Sequence, residues 1–384
     1  MKKRSLVLGL LLACTMAIAA CGGNDTEQTS TNTEANTTTE VSTEAGTEQT
    51  GEVAGAMEIV TDESAPEGMV VNELSGEFID ANLENQRPIA VMVDNELTAF
   101  QNNEGYGHYG LTQADVIYEM INSTDNNRIT RLMALFKDWE SVDRIGSIRS
   151  ARVTNCILCM EWNAIMCHDG GPFYIDAYTA LPYLDNLSGN FARISNGKSR
   201  EFTEYITTDD NVRRILEANN IETEYNNYYE GEHFTFANNV ELDSSAKDAV
   251  KIELPFPHNS SKLDYNEEDQ LYYYSEYGMK HVDPGNGNAQ LSFKNVIIYE
   301  TDMELCRNGD YIDENGYMYY DIIEKSGEGY YIINGKAEPI TWRKVSATAP
   351  TEFFDEDGNE IILNVGKTYI AIVPSDAWSD LVIK

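Results

Sequence analysis

The sequence predicts a mixed α+β protein, in which an N-terminal α/β domain (residues 87–236) is followed by a β-rich C-terminal domain (residues 237–384). Between residues 87 and 220, short apolar runs typical of buried strands alternate with segments of helical period, the pattern of an α/β layer. From about residue 250, Tyr- and Ile-rich runs are separated by turn sequences such as "DENG" and "SGEG", which is typical of antiparallel β-structure. Ahead of both lies a Thr-, Glu- and Asn-rich segment that predicts a disordered acidic stalk over residues 21–86.

The first twenty residues have the pattern of a secretory signal peptide. Three basic residues at positions 2–4 precede an uncharged apolar run that is too short to span a bilayer stably. The ending "IAAC" resembles a bacterial lipobox, so we expect cleavage before Cys21 and lipidation of its sulfur; a rival ending at Cys14 follows a shorter apolar run. Lipid chains such as palmitate anchor a protein through their buried methylene groups. The sequence therefore predicts an extracytoplasmic lipoprotein held on the bacterial cell membrane.

The chain is strongly acidic, with a formal net charge of −37. Residues 22–86 contain fifteen acidic residues and no Lys or Arg, and the remainder is acidic as well. A negative field repels nucleic-acid phosphates and anionic lipid surfaces. This charge excludes nucleic acid as a general partner and favours cations, cationic peptides or a basic protein surface.

Each element of the N-terminal half has its own local signal. "RPIAVMVDN" is a continuous apolar run closed by Asp94 and Asn95, as expected of a buried strand. In "LTQADVIYEM", Thr112 followed three residues later by Asp115 has the spacing of a capping box and predicts a short helix. "ITRLMALF" and "NAIMCHD" predict two further strands, "SARVTNCILCMEW" a helix, and "TDDNVRRILEANN" an amphipathic helix with acidic residues in its first turn.

The same segments carry a resemblance to a known family. "RPIAVMVDN", "GLTQADVIYEM", "ITRLMALF", "RIGSIRSAR" and "HDGG" resemble, in order and spacing, the YerB-like lipoproteins of bacterial cell surfaces, the domain-of-unknown-function family 3048. The β-rich half resembles the C-terminal domain of that family through "KHVDPGNG", "FKNVII", "ITWRKVS" and "DEDGNEIILNVGKTYIAIVP". The resemblance implies a lipid-anchored envelope protein without an established reaction, associated with the peptidoglycan synthesis machinery.

Cys156 and Cys159 form a C-x-x-C sequence, and Cys167 and His168 follow in the next predicted strand. Free cysteine is among the most buried residue types, so we expect these thiols to be small apolar core residues. Two alternatives remain open. One is a zinc site built from the three cysteines and His168, and the other is a disulfide, which the i,i+3 spacing within one helix fits poorly. We expect no metal and no cofactor.

Arg149 and Arg152 flank Ser150 at the predicted start of a helix. The free N–H groups and the positive dipole end of a helix favour an anion, and two guanidinium groups add forked donors that match phosphate or carboxylate. The alternative is that both arginines pair with the chain's own carboxylates, such as Asp94 or Glu119, and lock the domain.

Two predicted strands end in polar residues that could form one crevice with these arginines. In open α/β sheets, ligands collect beyond the carboxyl ends of the strands, and glycines let a ligand approach the backbone closely. The alternative for His168 is a surface histidine in a tight turn. No catalytic residue is predicted, because no nucleophile motif accompanies the serines near His168. The candidate ligand-binding residues are Asp94, Asn95, Arg149, Arg152, His168, Asp169, Gly170 and Gly171.

These observations predict a lipid-anchored binding or accessory protein of the bacterial envelope. Its expected partners are the membrane, through the lipid anchor, and an envelope-synthesis protein or an anionic cell-wall ligand. The alternative is an enzyme acting on a cell-envelope polymer, with Asp94 or Asp169 as the acid–base residue and the arginines as an electrostatic clamp.

Overall fold

The structure is a computed structural model that describes residues 56–102, 105–189, 191–207, 212–308, 311–312 and 316–384. The predicted signal peptide, Cys21 and the predicted stalk up to residue 55 lie outside the described residues. Within the described ranges, no helix is both long enough and apolar enough to cross a membrane.

Two sheets contain most of the strands. In chain order these strands are β1 (Ile89–Val93), β2 (Val116–Ile121), β3 (Thr130–Phe136), β4 (Ile165–His168), β5 (Asn186–Ser188), β6 (Lys247–Asp248), β7 (Lys251–Glu253), β8 (Lys262–Asn266), β9 (Leu271–Glu276), β10 (Met279–Lys280), β11 (Ser292–Phe293), β12 (Asn295–Thr301), β13 (Lys325–Ile333), β14 (Lys336–Lys344), β15 (Glu352–Phe354), β16 (Thr368–Pro374) and β17 (Val382–Ile383). The central sheet has the order β5-β4-β1-β3-β2-β16-β12-β13-β14-β6, with β15 also paired to β14. The second sheet has the order β10-β9-β8-β7-β17, with β11 also paired to β9.

The central sheet joins the N-terminal and C-terminal halves of the chain. Strand β16, from near the C-terminus, runs parallel to β2 on one side and to β12 on the other. All seven of its residues are buried, as are all those of β1, β2 and β3, which explains their nearly continuous apolar sequences. The described residues therefore form one compact unit, in which the predicted domains 87–236 and 237–384 share a sheet.

Helices are few in the described residues. Two α-helices are longer than four residues, α1 (Val153–Glu161) and α2 (Val212–Asn219), and a six-residue 3₁₀ helix spans Ser375–Asp380. Short helices, smaller sheets and further hairpins surround the central sheet. The short helices span Leu97–Phe100, Asp125–Arg128 and Asp176–Thr179; the three-stranded sheets pair Glu58–Ile59, Thr235–Asn238 and Ile362–Asn364, and Ala192–Arg193, Glu204–Thr207 and Arg144–Gly146; the hairpins pair Met69–Val71 with Phe78–Asp80, Gln101–Asn102 with Gly105–Tyr106, Val282–Asp283 with Ala289–Gln290, Met303–Leu305 with Met318–Tyr320, and Arg307–Asn308 with Tyr311–Ile312.

The described residues are mostly β with few helices, so the predicted β-rich C-terminal half agrees with the structure, whereas the N-terminal half is mostly β rather than the predicted α/β layer. The helix predicted for "LTQADVIYEM" is wrong, because residues Leu111–Gln113 form a single 3₁₀ turn and β2 follows directly. Asp115 does not cap a helix. Its carboxylate instead accepts the Asn72 side-chain amide at 2.8 Å and the Lys137 N–H at 2.7 Å. Burial of β2 between two strands outweighs the local capping pattern.

The stalk predicted for residues 21–86 is wrong from residue 56 onward. Residues Met69–Val71 and Phe78–Asp80 form a hairpin, and Leu74 between them is fully buried in the core. The polar composition of the segment concealed these few apolar residues. They are sufficient because they pack against a core that the rest of the chain already forms.

Candidate functional site

The central sheet brings the predicted site segments together. Strands β1 and β4 are parallel neighbours, so residues 94–95 and 168–171 follow them at the same edge. The segment before α1 crosses this edge, where the Arg149 N–H donates to the Met92 carbonyl at 2.8 Å and the Asp169 N–H donates to the Arg149 carbonyl at 3.0 Å. The predicted convergence of the two strand ends with the start of the helix is thus present.

Arg149 forms ion pairs with carboxylates of its own chain. Its Nε lies 2.5 Å from Oδ2 of Asp94, which is fully buried, and its other nitrogens lie 3.2 Å from Glu201 and 3.8 Å from Glu96. Burial, reinforced by the adjacent Asp94 charge, raises the pKa of Glu96 above its ordinary value. For Arg149 the structure therefore matches the alternative in which an arginine pairs with the chain's own carboxylates.

Arg152 and Arg131 are different, because among the described residues each is held by a backbone carbonyl instead of a carboxylate. Arg152 Nη1 donates to the Ala151 carbonyl at 2.9 Å, and its guanidinium lies 4.6 Å from the centre of the Tyr317 ring. Arg131, which is almost completely buried, donates from Nη1 to the Ser150 carbonyl at 2.9 Å. The buried Nε of each has no hydrogen-bond partner among the described residues.

The charges of these arginines act on one another. Burial lowers the pKa of Arg131, and burial together with the charge of Arg131 lowers the pKa of Arg152 to about 9, so both remain cationic at neutral pH. Arg152 also precedes the N-terminus of α1, where the helix dipole adds positive potential. We call Arg131, Arg149 and Arg152 the arginine cluster; it is an electropositive site within a strongly acidic chain.

His168 contributes to the fold of the crevice. It is 2% exposed, its Nδ1 lies 2.7 Å from the Gly170 carbonyl oxygen, and its Nε2 lies 3.3 Å from Oδ1 of Asn186. It is a buried, hydrogen-bonded histidine rather than a surface one. A Cβ at Gly171 would overlap the Ile175 side chain, so close packing accounts for the glycine.

Asp169 belongs to a carboxyl pair that sequence reasoning missed. Arg193 Nη2 lies 2.9 Å from Asp169 Oδ2 and 2.6 Å from Oε2 of Glu204, whose side chain is fully buried. Burial and the nearby Asp169 raise the pKa of Glu204 to about 7. For Asp169, burial acts to raise the pKa, but hydrogen bonds with Glu204 and Arg193 outweigh it and hold the pKa below its ordinary value. Glu204 is brought to Asp169 by a strand pairing that no local motif indicates.

Asn95 faces a second buried network instead of the crevice. Its Nδ2 donates to the Thr130 hydroxyl at 2.7 Å and lies 3.3 Å from Glu119 Oε1. Asn259 Nδ2 links two fully buried carboxyl groups, at 2.7 Å from Glu119 and 3.2 Å from Glu276. Burial raises the pKa of Glu276 to about 8, so this pair holds a proton at neutral pH.

The cysteines Cys156, Cys159 and Cys167 are buried free thiols. Burial raises the pKa of all three thiols, that of Cys156 to about 12, which makes them poor ligands and poor nucleophiles. In the part of the chain that the structure describes, no three His, Cys, Asp or Glu side chains are grouped so that they could hold a metal ion.

Comparison with known proteins identifies the family. Residues 252–370 match the C-terminal domain, and residues 74–223 the N-terminal domain, of the family described as protein of unknown function (DUF3048). No curated protein matches the chain. Among solved structures, the crystal structure of YerB from Bacillus subtilis is similar, with a TM-score of 0.65 and 21% identity over 82% of this chain and 99% of that one, a likeness that shows the fold alone. The chain therefore belongs to the DUF3048 family, with both of its domains.

Proposed function

We propose that this protein is a lipid-anchored binding or accessory protein of the bacterial envelope, and that the arginine cluster binds an anionic group of a cell-wall component or of an envelope-synthesis protein. One observation carries the proposal. Among the described residues, Arg131 and Arg152 bond backbone carbonyls and form no ion pair with a carboxylate, in a chain of net charge −37. Because carboxylates are so abundant in this chain, two arginines that have no carboxylate partner among the described residues indicate a site for an anion of another molecule.

The chemistry of the cluster fits a phosphate or a carboxylate. Guanidinium groups present paired donors in a plane, and a partly buried setting strengthens their attraction for an anion because water screens it less. Arg149 is already neutralised by Asp94, so Arg152 and Arg131 carry the positive charge that remains. The proposed envelope location rests on the signal-like N-terminus and Cys21, and it is tested by palmitate labelling of cells that express the wild type, Cys21→Ala or Cys14→Ala.

The anion proposal is tested by thermal unfolding of the full chain with inorganic phosphate or a soluble muropeptide fraction. A ligand that binds the native state, at about one hundred times its Kd, adds about 2.7 kcal/mol to the free energy of unfolding. We expect this increase to be lost in Arg152→Gln and kept in the control Arg343→Gln, which removes an exposed arginine paired with Glu352. An unchanged increase in Arg152→Gln would place the ligand elsewhere.

A second candidate function is an enzyme acting on an envelope polymer, which the Asp169–Glu204 pair favours. Arg193 joins the two carboxyl groups; Asp169 is 30% exposed, and Glu204 titrates near neutral pH because of burial and the neighbouring carboxylate, as its pKa of about 7 indicates. The test is release of soluble fragments from purified cell walls. Asp169→Asn should abolish release while phosphate binding persists; absence of release by the wild-type chain would leave the binding function alone.

A further inference from the structure

The second sheet presents a polar face to solvent, well separated in sequence from the arginine cluster. Along β7, β8 and β9, buried and more exposed residues alternate. Leu263, Tyr272 and Tyr274 belong to the core, so the residues between them form the opposite face. We call that opposite face of β7–β10 the outer face.

Strand register arranges the outer face in two rows. Lys251, Asp264 and Tyr273 are cross-strand neighbours in one row. The next row is formed by Glu253, Lys262, Ser275 and Lys280. Lys251 and Lys262 both bind Glu253, with Nζ–Oε1 distances of 3.0 and 3.2 Å. The side chains of both rows thus alternate in charge and hydrogen-bonding character across the sheet.

A cleft of about 910 Å³ lies against the outer face. Among its described lining residues, the charged ones are three lysines and one aspartate. Because Glu253 pairs with Lys251 and Lys262 on the same face, an excess of one positive charge remains there, in a chain of net charge −37. The remaining lining groups are mainly hydroxyls, amides and the rings of Tyr265 and Tyr273. The apolar side chains among the described lining residues, apart from the two tyrosines, are Met279 and Val282.

We propose that the outer face binds an anionic saccharide chain. The lysines attract its negative groups, the hydroxyl and amide side chains pair with sugar hydroxyls that both donate and accept, and a tyrosine ring packs against the apolar face of a sugar ring. This inference goes beyond the proposed function, because it assigns a second binding surface that shares no residue with the arginine cluster.

The test is calorimetric titration of the full chain with hexagalacturonate, an anionic oligosaccharide. We expect binding that weakens with added salt, and that weakens by about threefold or more in Tyr273→Ala and in Lys280→Gln. Lys325→Gln is the matched control, because it removes the same charge from an exposed lysine paired with Asp321 that does not line the cleft.

Three outcomes would overturn the proposal. One is no binding at about 1 mM ligand. Another is equally tight binding of a glutamate hexamer, which would show attraction to charge without recognition of a sugar. The third is hexagalacturonate binding that Arg152→Gln abolishes and Tyr273→Ala leaves unchanged, which would place the saccharide at the arginine cluster. Conversely, loss of phosphate binding in Arg152→Gln with retained hexagalacturonate binding would show that the two sites are separate.

Discussion

Breaking the buried ion pair between Lys344 and Glu161 should destabilise the protein more than any surface substitution. Both side chains are fully buried, and the Nζ–Oε2 distance is 2.6 Å. The Glu161 carboxylate also accepts the Thr351 hydroxyl at 2.7 Å, and Lys344 also donates to the Ala349 carbonyl. Because Glu161 ends α1 and Lys344 ends β14, the pair links the two family domains.

The expected magnitude follows from what each substitution leaves behind. Glu161→Leu leaves a buried ammonium group with a carbonyl as its remaining hydrogen-bond partner, and Lys344→Met leaves a buried carboxylate with hydroxyl partners. Removing one partner of such a pair costs about 3–5 kcal/mol, whereas replacing both by apolar residues of similar size is often close to neutral. The double variant should therefore recover most of the loss seen in each single variant.

The measurement is urea unfolding followed by tryptophan fluorescence. Because both halves of the chain share the central sheet, we expect a single transition whose midpoint falls in each single variant. Lys336→Met is the control: it breaks an exposed ion pair with Asp248 and should cost less than about 1 kcal/mol. The reasoning is refuted if either single buried substitution costs less than about 1 kcal/mol, or if the losses simply add in the double variant.

Three further predictions concern protonation, the Asp94 ion pair and the thiols. Because burial raises the pKa of Glu276 from 4.5 to about 8, the folded state keeps a proton that the unfolded state releases, and the free energy of unfolding should fall by up to about 1.4 kcal/mol per pH unit between about pH 5 and 8. Urea titrations of Glu276→Gln at several pH values should show a shallower dependence of this free energy on pH, and an unchanged dependence would contradict the assignment. Arg149→Gln leaves Asp94 buried without its guanidinium partner and should lower the free energy of unfolding by about 3 kcal/mol. A decrease of less than about 1 kcal/mol in urea unfolding would show that Asp94 is neutralised in another way. Cys156, Cys159 and Cys167 are buried free thiols, so peptide mapping after iodoacetamide treatment should find them unmodified in native protein and modified in urea; rapid native modification would contradict their burial.

The local sequence pattern was sufficient to predict several elements in which nearly every residue is buried. "RPIAVMVDN" and "NAIMCHD" were correctly predicted as strands, and "SARVTNCILCMEW" contains α1. In "LTQADVIYEM" the same kind of apolar run follows a capping pattern, which predicts a helix. Short apolar runs are ambiguous between helix and strand. Here the neighbouring strands decide, β3 close by in sequence and β16 about 250 positions away.

The candidate site divides in the same way. The convergence of Asp94, Arg149 and Asp169 could be predicted, because parallel strands end at a common edge. The role of each residue at the site could not be predicted. Arg149 is neutralised by Asp94, while Arg131 and Glu204 enter the site from strands whose local pattern does not indicate a binding residue.

The sequence by itself determined the family, the acidity of the chain and several of its buried strands, because these depend on composition and on short-range periodicity. Only the tertiary structure decided that β16 joins both halves into one sheet, that Glu161 pairs with Lys344, and that, among the described residues, Arg149 pairs with carboxylates while Arg131 and Arg152 bond backbone carbonyls. The physical reason is that strand pairing and burial of charge depend on contacts between residues 250 or more positions apart, as Glu119 and Tyr369 are, and no local pattern specifies such contacts.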